Sequence, residues 1–386
     1  MFAKPSAPIV KGFRAHRRSF LPGMAILAAT CSPVFAHPAL LSAPPAESVC
    51  KSCAAPDAVP APNPPPSFDP LTASDAALAH YGFPPRPDET TAPAAYASWK
   101  KVMTLHVRRI TPVFQATTIA NRPAMLSSTP KGGGKGATGS SSGNWSGYAI
   151  VNSNNPFMAT NTTIYGSFVI PVAQQAFGTC TNTLDYSSQW VGIDGYGSPD
   201  VFQAGVEADA KCSGSYYSAW YEWYPNNESR IGNFAVTAGD LIYLYIWNTS
   251  LTQGNYYIVN VTANTSTSAQ FTAPSGTQLT GNSAEWVVER PGVGGGLATL
   301  TNYTTIPWYD SQVTVPNSKG GTTEYSPGKG GAGSTVYSIT MHDDNNAGIS
   351  KAYTSPNNKL TYVDPTQASD TLDGTSLWFF NFGSSQ

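Results

Sequence analysis

Charge is scarce in this chain: Asp, Glu, Lys and Arg make up 11% of its 386 residues, against roughly 25% in an ordinary soluble domain. Histidine is scarcer still, and His342 is the only one after Asn144. That excludes a histidine-rich metal cluster from the C-terminal two-thirds. A Ser-His-Asp or Cys-His arrangement would depend on that one residue, beside Asp343 and Asp344 in a turn-like stretch. The paired Asp-Thr-Gly of an aspartic peptidase is missing, since Asp373-Gly374-Thr375 has the wrong order. The only extended apolar run, residues 20–36, is too short and too soon followed by proline to span a bilayer. Carboxylates and amides are the chemistry that remains.

What the sequence does contain is Tyr, Trp, Thr, Ser, Asn and Gly, crowded into the C-terminal two-thirds, a β-sheet composition solvated by polar rather than ionic groups. The formal net charge of -2 conceals a split. Up to Gly143 the chain carries fourteen Lys or Arg and six Asp or Glu; from Asn144 it carries seven and seventeen, so the two parts sit at +8 and -10. The acidic part offers no basic patch for nucleic acid, and its charge opposes an anionic membrane surface. Neither partner is expected, and nothing calls for a cofactor or a metal.

The N-terminus has the form of a secretory signal, with Lys11, Arg14, Arg17 and Arg18 ahead of the apolar run and Val34-Phe35-Ala36 at the expected cleavage position. Residues 1–36 are therefore read as a signal peptide, and the protein as secreted, extracellular or periplasmic. Of five cysteines, Cys31 would leave with the signal. Cys180 and Cys212 form the natural pair within the C-terminal part, worth about 3 to 4 kcal/mol by loop closure; the Cys-x-x-Cys of Cys50 and Cys53 has no thioredoxin-like surroundings and no second pair for zinc, which favours a local disulfide over a redox or zinc site. Residues 37–66 are Ala/Pro-rich, which predicts an extended or disordered stretch. Residues 75–81 and 94–107 have weak helical patterns, with Trp99, Val102 and Met103 on the apolar side and Leu105 off it. Residues 131–143 have the composition of a flexible linker. Its last five residues spell Gly-x-Ser-x-Gly, but a nucleophile elbow needs a strand before it and a helix after it.

From Asn144 the pattern changes to short β signals separated by turn residues. Strands are expected over residues 145–151, 163–170, 188–193, 201–207, 215–224, 241–248, 256–263, 285–289, 335–341 and 376–382. The fold class is all-β, a sandwich of two antiparallel sheets, preceded by a weakly helical or extended N-terminal part.

Four of these strands place polar groups beside aromatics or glycines. Side chains alternate faces along a strand, so Glu285, Val287 and Glu289 share one face. So do Trp190, Gly192 and Asp194; Gln203, Gly205 and Glu207; and Trp220, Glu222 and Tyr224. One such strand could be an ordinary solvated face. Four in one domain describe a polar, aromatic-lined groove.

The motifs Asn144-Trp145-Ser146-Gly147, Trp190-Val191-Gly192-Ile193-Asp194-Gly195, Phe202-Gln203-Ala204-Gly205, Ala219-Trp220-Tyr221-Glu222-Trp223-Tyr224-Pro225, Ala238-Gly239-Asp240 and Ala284-Glu285-Trp286-Val287-Val288-Glu289 resemble, in this order, those of the eqolisins, the glutamic peptidases. The resemblance covers residues 144 to about 310; residues 316–335 look like an insertion. It implies a concanavalin-like sandwich and acid endopeptidase activity on polypeptides. It assigns the catalytic pair to Gln203 and Glu289, and cleft positions to Trp145, Trp190, Asp194, Glu222 and Tyr224. Trp220 and Glu285 share those faces and join them as substrate-binding candidates. Glu207 stands where the family pattern has Asp, which leaves its supporting role open. Residues 224–233 resemble the family's loop over the active site.

Chemistry agrees with that assignment. A glutamate is partly ionised in moderate acid and can take a proton from water, while a glutamine amide donates to an oxyanion at any pH. The charge split fits an N-terminal propeptide, residues 37–143, that inhibits the catalytic domain of residues 144–386 in the same chain; a monomer is expected. Acid would weaken the attraction and open residues 131–143 to cleavage. The competing readings are a glycoside hydrolase or carbohydrate-binding sandwich, for which Glu222 and Glu289 could pair, and a non-catalytic adhesion sandwich. Glu285 and Glu289 are about 13 Å apart along an extended strand, too far for a glycosidase pair at ~5 to 9.5 Å.

Overall fold

The computed structural model describes residues 58–127, 137–303, 305–354 and 376–382. The expected signal peptide, the Cys50 and Cys53 pair and residues 131–136 of the expected linker lie outside them.

Two β-layers are built from one continuous path of paired strands. The first layer runs Phe114–Ala116, Ser229–Ile231, Gly214–Tyr224, Val201–Lys211, Ser188–Ile193, Ser283–Glu289, Trp145–Asn152 and Ser334–His342. Gly348–Thr354 and Leu377–Asn381 turn the corner. The second layer then runs Thr305–Pro316, Thr163–Val169, Leu241–Ser250, Gln253–Asn260 and Thr265–Thr272. Pairing is antiparallel except where Thr138–Ser142 joins Ser334–His342 and where Arg108–Arg109 joins Thr265–Thr272.

Alternation decides what each layer buries. Val191, Ala204, Val206, Trp286 and Val288 of the first layer meet Phe168, Ile242, Leu244, Ile246 and Ile258 of the second in the inter-sheet core. Trp145, Trp190, Trp220 and Val287 point the other way and form a separate aromatic cluster on the outer face. The outer face of the second layer is apolar too, with Tyr243, Tyr245, Trp247, Tyr257 and Val259. The helices Asp75–His80 and Pro93–Met103 cover it with Leu78, Ala95, Trp99, Val102 and Met103. Covered on both faces, the layers have little use for charge.

The expected strands are present, several with longer bounds, and the strands not expected include Thr265–Thr272, Thr305–Pro316, Thr322–Tyr325 and Gly348–Thr354. Thr265–Thr272 reads Thr-Ser-Thr-Ser-Ala-Gln-Phe-Thr and carries little hydrophobic alternation, because the buried side chains of its first half, Thr265 to Ser268, are hydroxyls and only Ala269 and Phe271 join the apolar core. Thr322–Tyr325 falls in the stretch read as an insertion and pairs with Thr305–Pro316. The second helix ends at Met103, short of the expected 107: the Thr104 hydroxyl donates to Lys101 O at 2.7 Å, and the chain then extends to pair at Arg108. The linker reading needs correction at its C-terminal end. Thr138–Ser142 is a strand with Ser140, Ser141 and Ser142 buried, because the backbone of Ser334–His342 offers it a partner that composition cannot register.

Cys180 and Cys212 are joined, with Cα atoms 4.6 Å apart. The layers approach closely at Gly254, where an added Cβ would stand 2.2 Å from Cζ of Phe202 in the opposite layer. Gly254→Ala should therefore destabilise by about 1 to 3 kcal/mol through overpacking, read as a fall in Tm of roughly 2 to 10 °C. An unchanged Tm would show that the Phe202 ring moves aside freely.

Candidate active site

Gln203 and Glu289 lie on the outer face of the first layer, two strands apart. The strand between them carries Trp190, whose Cα partners are Gly205 on one side and Val287 on the other. Gly205 makes this geometry possible, since a Cβ there would fall 2.7 Å from both Cβ of Trp190 and Cζ2 of Trp220. The two indoles pack over the glycine, and Trp145 meets Trp190 edge-on with ring centroids 4.8 Å apart.

Glu289 is fully buried and its carboxylate accepts four N–H bonds. Trp145 Nε1 and Trp190 Nε1 donate to Oε2, each at 3.0 Å. Asn144 Nδ2 donates to Oε1 at 3.1 Å and the backbone N–H of Arg122 at 2.9 Å. Burial pushes its pKa well above the carboxylate range, and the bonds from Arg122, Asn144 and Trp190 pull it back only in part. Gln203 donates from Nε2 to the carbonyl of Asn121 at 2.7 Å. The Asn121–Arg122 peptide unit thus has its carbonyl on Gln203 and its N–H on Glu289.

That peptide belongs to an N-terminal stretch that crosses the groove, held by isolated β-bridges at Ala120 and Leu126. Upstream, Phe114–Ala116 pairs with Ser229–Ile231, and Ala120 exchanges both backbone bonds with Gly292 at 3.0 and 2.8 Å. Downstream, Ala124 N–H donates to Gly195 O at 3.0 Å and Met125 N–H to Asn144 Oδ1 at 2.8 Å. Trp145 Nε1 also reaches Arg122 O at 2.9 Å.

Glu222 is the Cα partner of Gln203 and takes the Asn121 N–H on Oε2 at 3.0 Å, with Asn121 Nδ2 at 3.3 Å. Beyond it lies a buried acidic cluster that the sequence did not reveal: Glu207, Asp209 and Glu228 around Arg230, whose Nη2 is 3.9 Å from Glu228 Oε1. Glu207 is therefore placed among carboxyls beneath the groove. Asp194, in the left-handed region at φ 73°, accepts the N–H groups of Thr280, Gly281 and Asn282 at 2.7 to 3.0 Å and organises that turn. Glu285 is buried near Asp194 and the Tyr196 backbone, two strands from Gln203 with Gly192 on the strand between. Tyr224 is half-buried at the rim of the tryptophan cluster. Part of the loop of residues 224–233 is the strand Ser229–Ile231, which carries the incoming chain. Asn121 and Arg122 lie in no motif; Asn144 and Arg230 lie in stretches that carry the resemblance, without a role of their own. Among the described residues no group of three or more His, Cys, Asp or Glu could hold a metal ion.

A model of the peptidase A4 family matches residues 143–361, more than half of the chain. The chain belongs to this family, the eqolisins. It is 29% identical over 129 residues to aspergillopepsin-2 of Aspergillus niger, covering 33% of this chain and 46% of that relative. It is 34% identical over 101 residues to scytalidopepsin B of Scytalidium lignicola, covering 26% and 38%. The chain thus spans less than half the length of either curated relative. Among solved structures it is similar to scytalido-glutamic peptidase with a transition-state analog inhibitor, at 21% identity and a TM-score of 0.44 over 62% of this chain and 98% of that one. It is also similar to aspergilloglutamic peptidase from Aspergillus niger, at 23% identity and a TM-score of 0.39 over 51% and 99%.

The eqolisin's acidic groove makes its stability pH-dependent. Burial raises Asp194 to about 7 and Asp209 to about 8, and pushes Glu207, Glu222, Glu228, Glu285 and Glu289 well above the carboxylate range. Between about pH 4, where these groups titrate when unfolded, and their folded values, the folded chain binds more protons than the unfolded one. Stability is then greatest in acid and declines as pH rises through those values. Calorimetry from about pH 4 to 8 should record a Tm falling by roughly 5 °C or more, with Asp209→Asn flattening the upper part of the profile. A Tm that climbs over this range would contradict the assignment.

Proposed function

We propose that this eqolisin is a secreted acid endopeptidase that hydrolyses polypeptides with Gln203 and Glu289. The observation that carries this reading is the Asn121–Arg122 peptide unit, carbonyl on the Gln203 amide and N–H on the Glu289 carboxylate. A site arranged to hold both ends of one amide is suited to breaking it. Glu289 acts in its ionised form, a minor one at about pH 4 while the groove is covered and a larger one once water enters it. It takes a proton from water, the hydroxide attacks the carbonyl carbon, and Gln203 Nε2–H holds the resulting oxyanion. Glu289 then returns the proton to the leaving nitrogen. Trp145, Trp190 and Asn144 fix the carboxylate against rotation, and Glu222 receives the N–H of the residue whose carbonyl is attacked. Substrates bind as extended strands, since the groove offers backbone partners at Gly292 on one side and Gly195 on the other.

Residues 37–143 act as the propeptide in this reading. The described part, from Ala58, supports it by lying where a substrate would lie. Its hold rests on apolar packing and strand pairing more than on charge: Trp99 and Val102 are buried against the second layer, and the Lys101–Asp310 pair at 3.4 Å adds an ionic contact. The signal-like N-terminus supports export. Among the described residues no helix is long and apolar enough to cross a membrane.

The test is digestion of a denatured protein at about pH 4, near the ordinary glutamate pKa, in the presence of an aspartic-peptidase inhibitor. Gln203→Ala should lower kcat by about 10^2- to 10^3-fold and Glu289→Gln by at least about 10^2-fold, both with unchanged circular dichroism. Full activity in either variant would remove the mechanism, and an inactive wild-type protein that binds or cleaves oligosaccharides would favour the carbohydrate reading.

A further inference from the structure

The N-terminal segment does more than occupy the groove; it presents a particular bond. We infer that the Asn121–Arg122 peptide bond is the first substrate of this site, hydrolysed within the same chain. This rests on the peptidase reading above and adds to it the identity of the bond.

Register is fixed from both sides. Upstream, Thr117 N–H and Oγ1 donate to Glu228 O, Glu228 N–H donates to Ile119 O, and Ala120 is bonded twice to Gly292. Downstream, Ala124, Met125 and Ser127 donate to Gly195 O, Asn144 Oδ1 and Ser141 O. A slip of one residue would break both sets and move the carbonyl of Asn121 off Gln203. Side chains reinforce the register. Ile119 is fully buried in an apolar pocket with Leu184, Tyr186, Tyr216 and Ala298. Asn121 Nδ2 reaches Glu222 Oε2 and Glu228 Oε2 at 3.3 and 3.4 Å. Arg122 lies over Gly292, where an added Cβ would come within 2.3 Å of its Nε.

The C-terminal part of the expected linker is a poorer candidate for the first cut. Thr138–Ser142 is paired along its length with Ser334–His342, and Ser140 to Ser142 are buried, so cleavage there requires that strand to detach first.

The step balances with one water. Its oxygen bonds to the Asn121 carbonyl carbon as Glu289, in the ionised fraction that its raised pKa leaves, takes a proton, and Gln203 Nε2 stabilises the oxyanion. The C–N bond then breaks as Glu289 protonates the Arg122 nitrogen. The products are a chain ending in the Asn121 carboxyl and a chain beginning with the Arg122 amine.

The experiment uses the full chain, purified at neutral pH, stepped to about pH 4 and quenched at intervals, with new amines labelled and the fragments identified by mass spectrometry. The expected first product begins Arg122-Pro123-Ala124 with a partner ending at Asn121, and its rate constant changes by less than about twofold over a tenfold dilution, as an intramolecular reaction requires. Glu289→Gln should give neither fragment. A first new terminus elsewhere while Asn121–Arg122 stays intact would overturn the inference, as would a rate that scales with concentration. A denatured reporter protein in the same samples separates the two levels. Reporter cleavage with the Asn121–Arg122 bond intact defeats this inference alone, whereas an intact reporter and an intact bond defeat the peptidase reading with it.

Discussion

Everything at the groove depends on one desolvated carboxylate. Glu289 is buried among tryptophans, and an ionised carboxyl in such a place is costly unless donors satisfy its lone pairs. Four N–H groups do so, from Trp145, Trp190, Asn144 and the backbone of Arg122. Three belong to the sheet and its entrance. The fourth comes from the N-terminal segment, so it alone depends on that segment's place in the groove.

That arrangement requires glycines where tryptophans lie flat. Gly205 gives room to Trp190 and Trp220, which in turn set the reach from Gln203 on one strand to Glu289 two strands away. The inner faces of the same strands are ordinary sandwich core, with Ala204, Val206, Trp286 and Val288 packed on the second layer. The rigid inner packing is what allows the outer face to hold a precise spacing between an amide donor and a carboxyl.

Burial also explains the electrostatics. With the groove covered, Glu207, Asp209, Glu222 and Glu228 share a dry space with Arg230, and loss of solvation is the largest influence on each carboxyl. Such a cluster favours the protonated state and makes the covered form an acid-stable one. Asn121 donates into this cluster at Glu222 and Glu228, so the grip on the N-terminal segment and the proton balance of the groove are coupled through the same oxygens.

By itself the sequence determined the sandwich and the faces of its strands. Period-two alternation around Trp190, Gln203, Trp220 and Glu289 is a local property, set by the pleat and legible wherever apolar residues alternate with polar ones. It could not show Thr265–Thr272, whose buried hydroxyls carry no such signal, nor the pairing of Thr138–Ser142, whose Gly/Ser composition resembles a linker. Nor could it place Asn121 and Arg122 in the groove, because they lie 82 and 167 residues from Gln203 and Glu289 in the chain and meet them through backbone groups that every residue has. Backbone hydrogen bonds carry no residue identity. Only the tertiary structure, by fixing the register of the segment across the sheet, decided which peptide bond the amide and the carboxylate would hold.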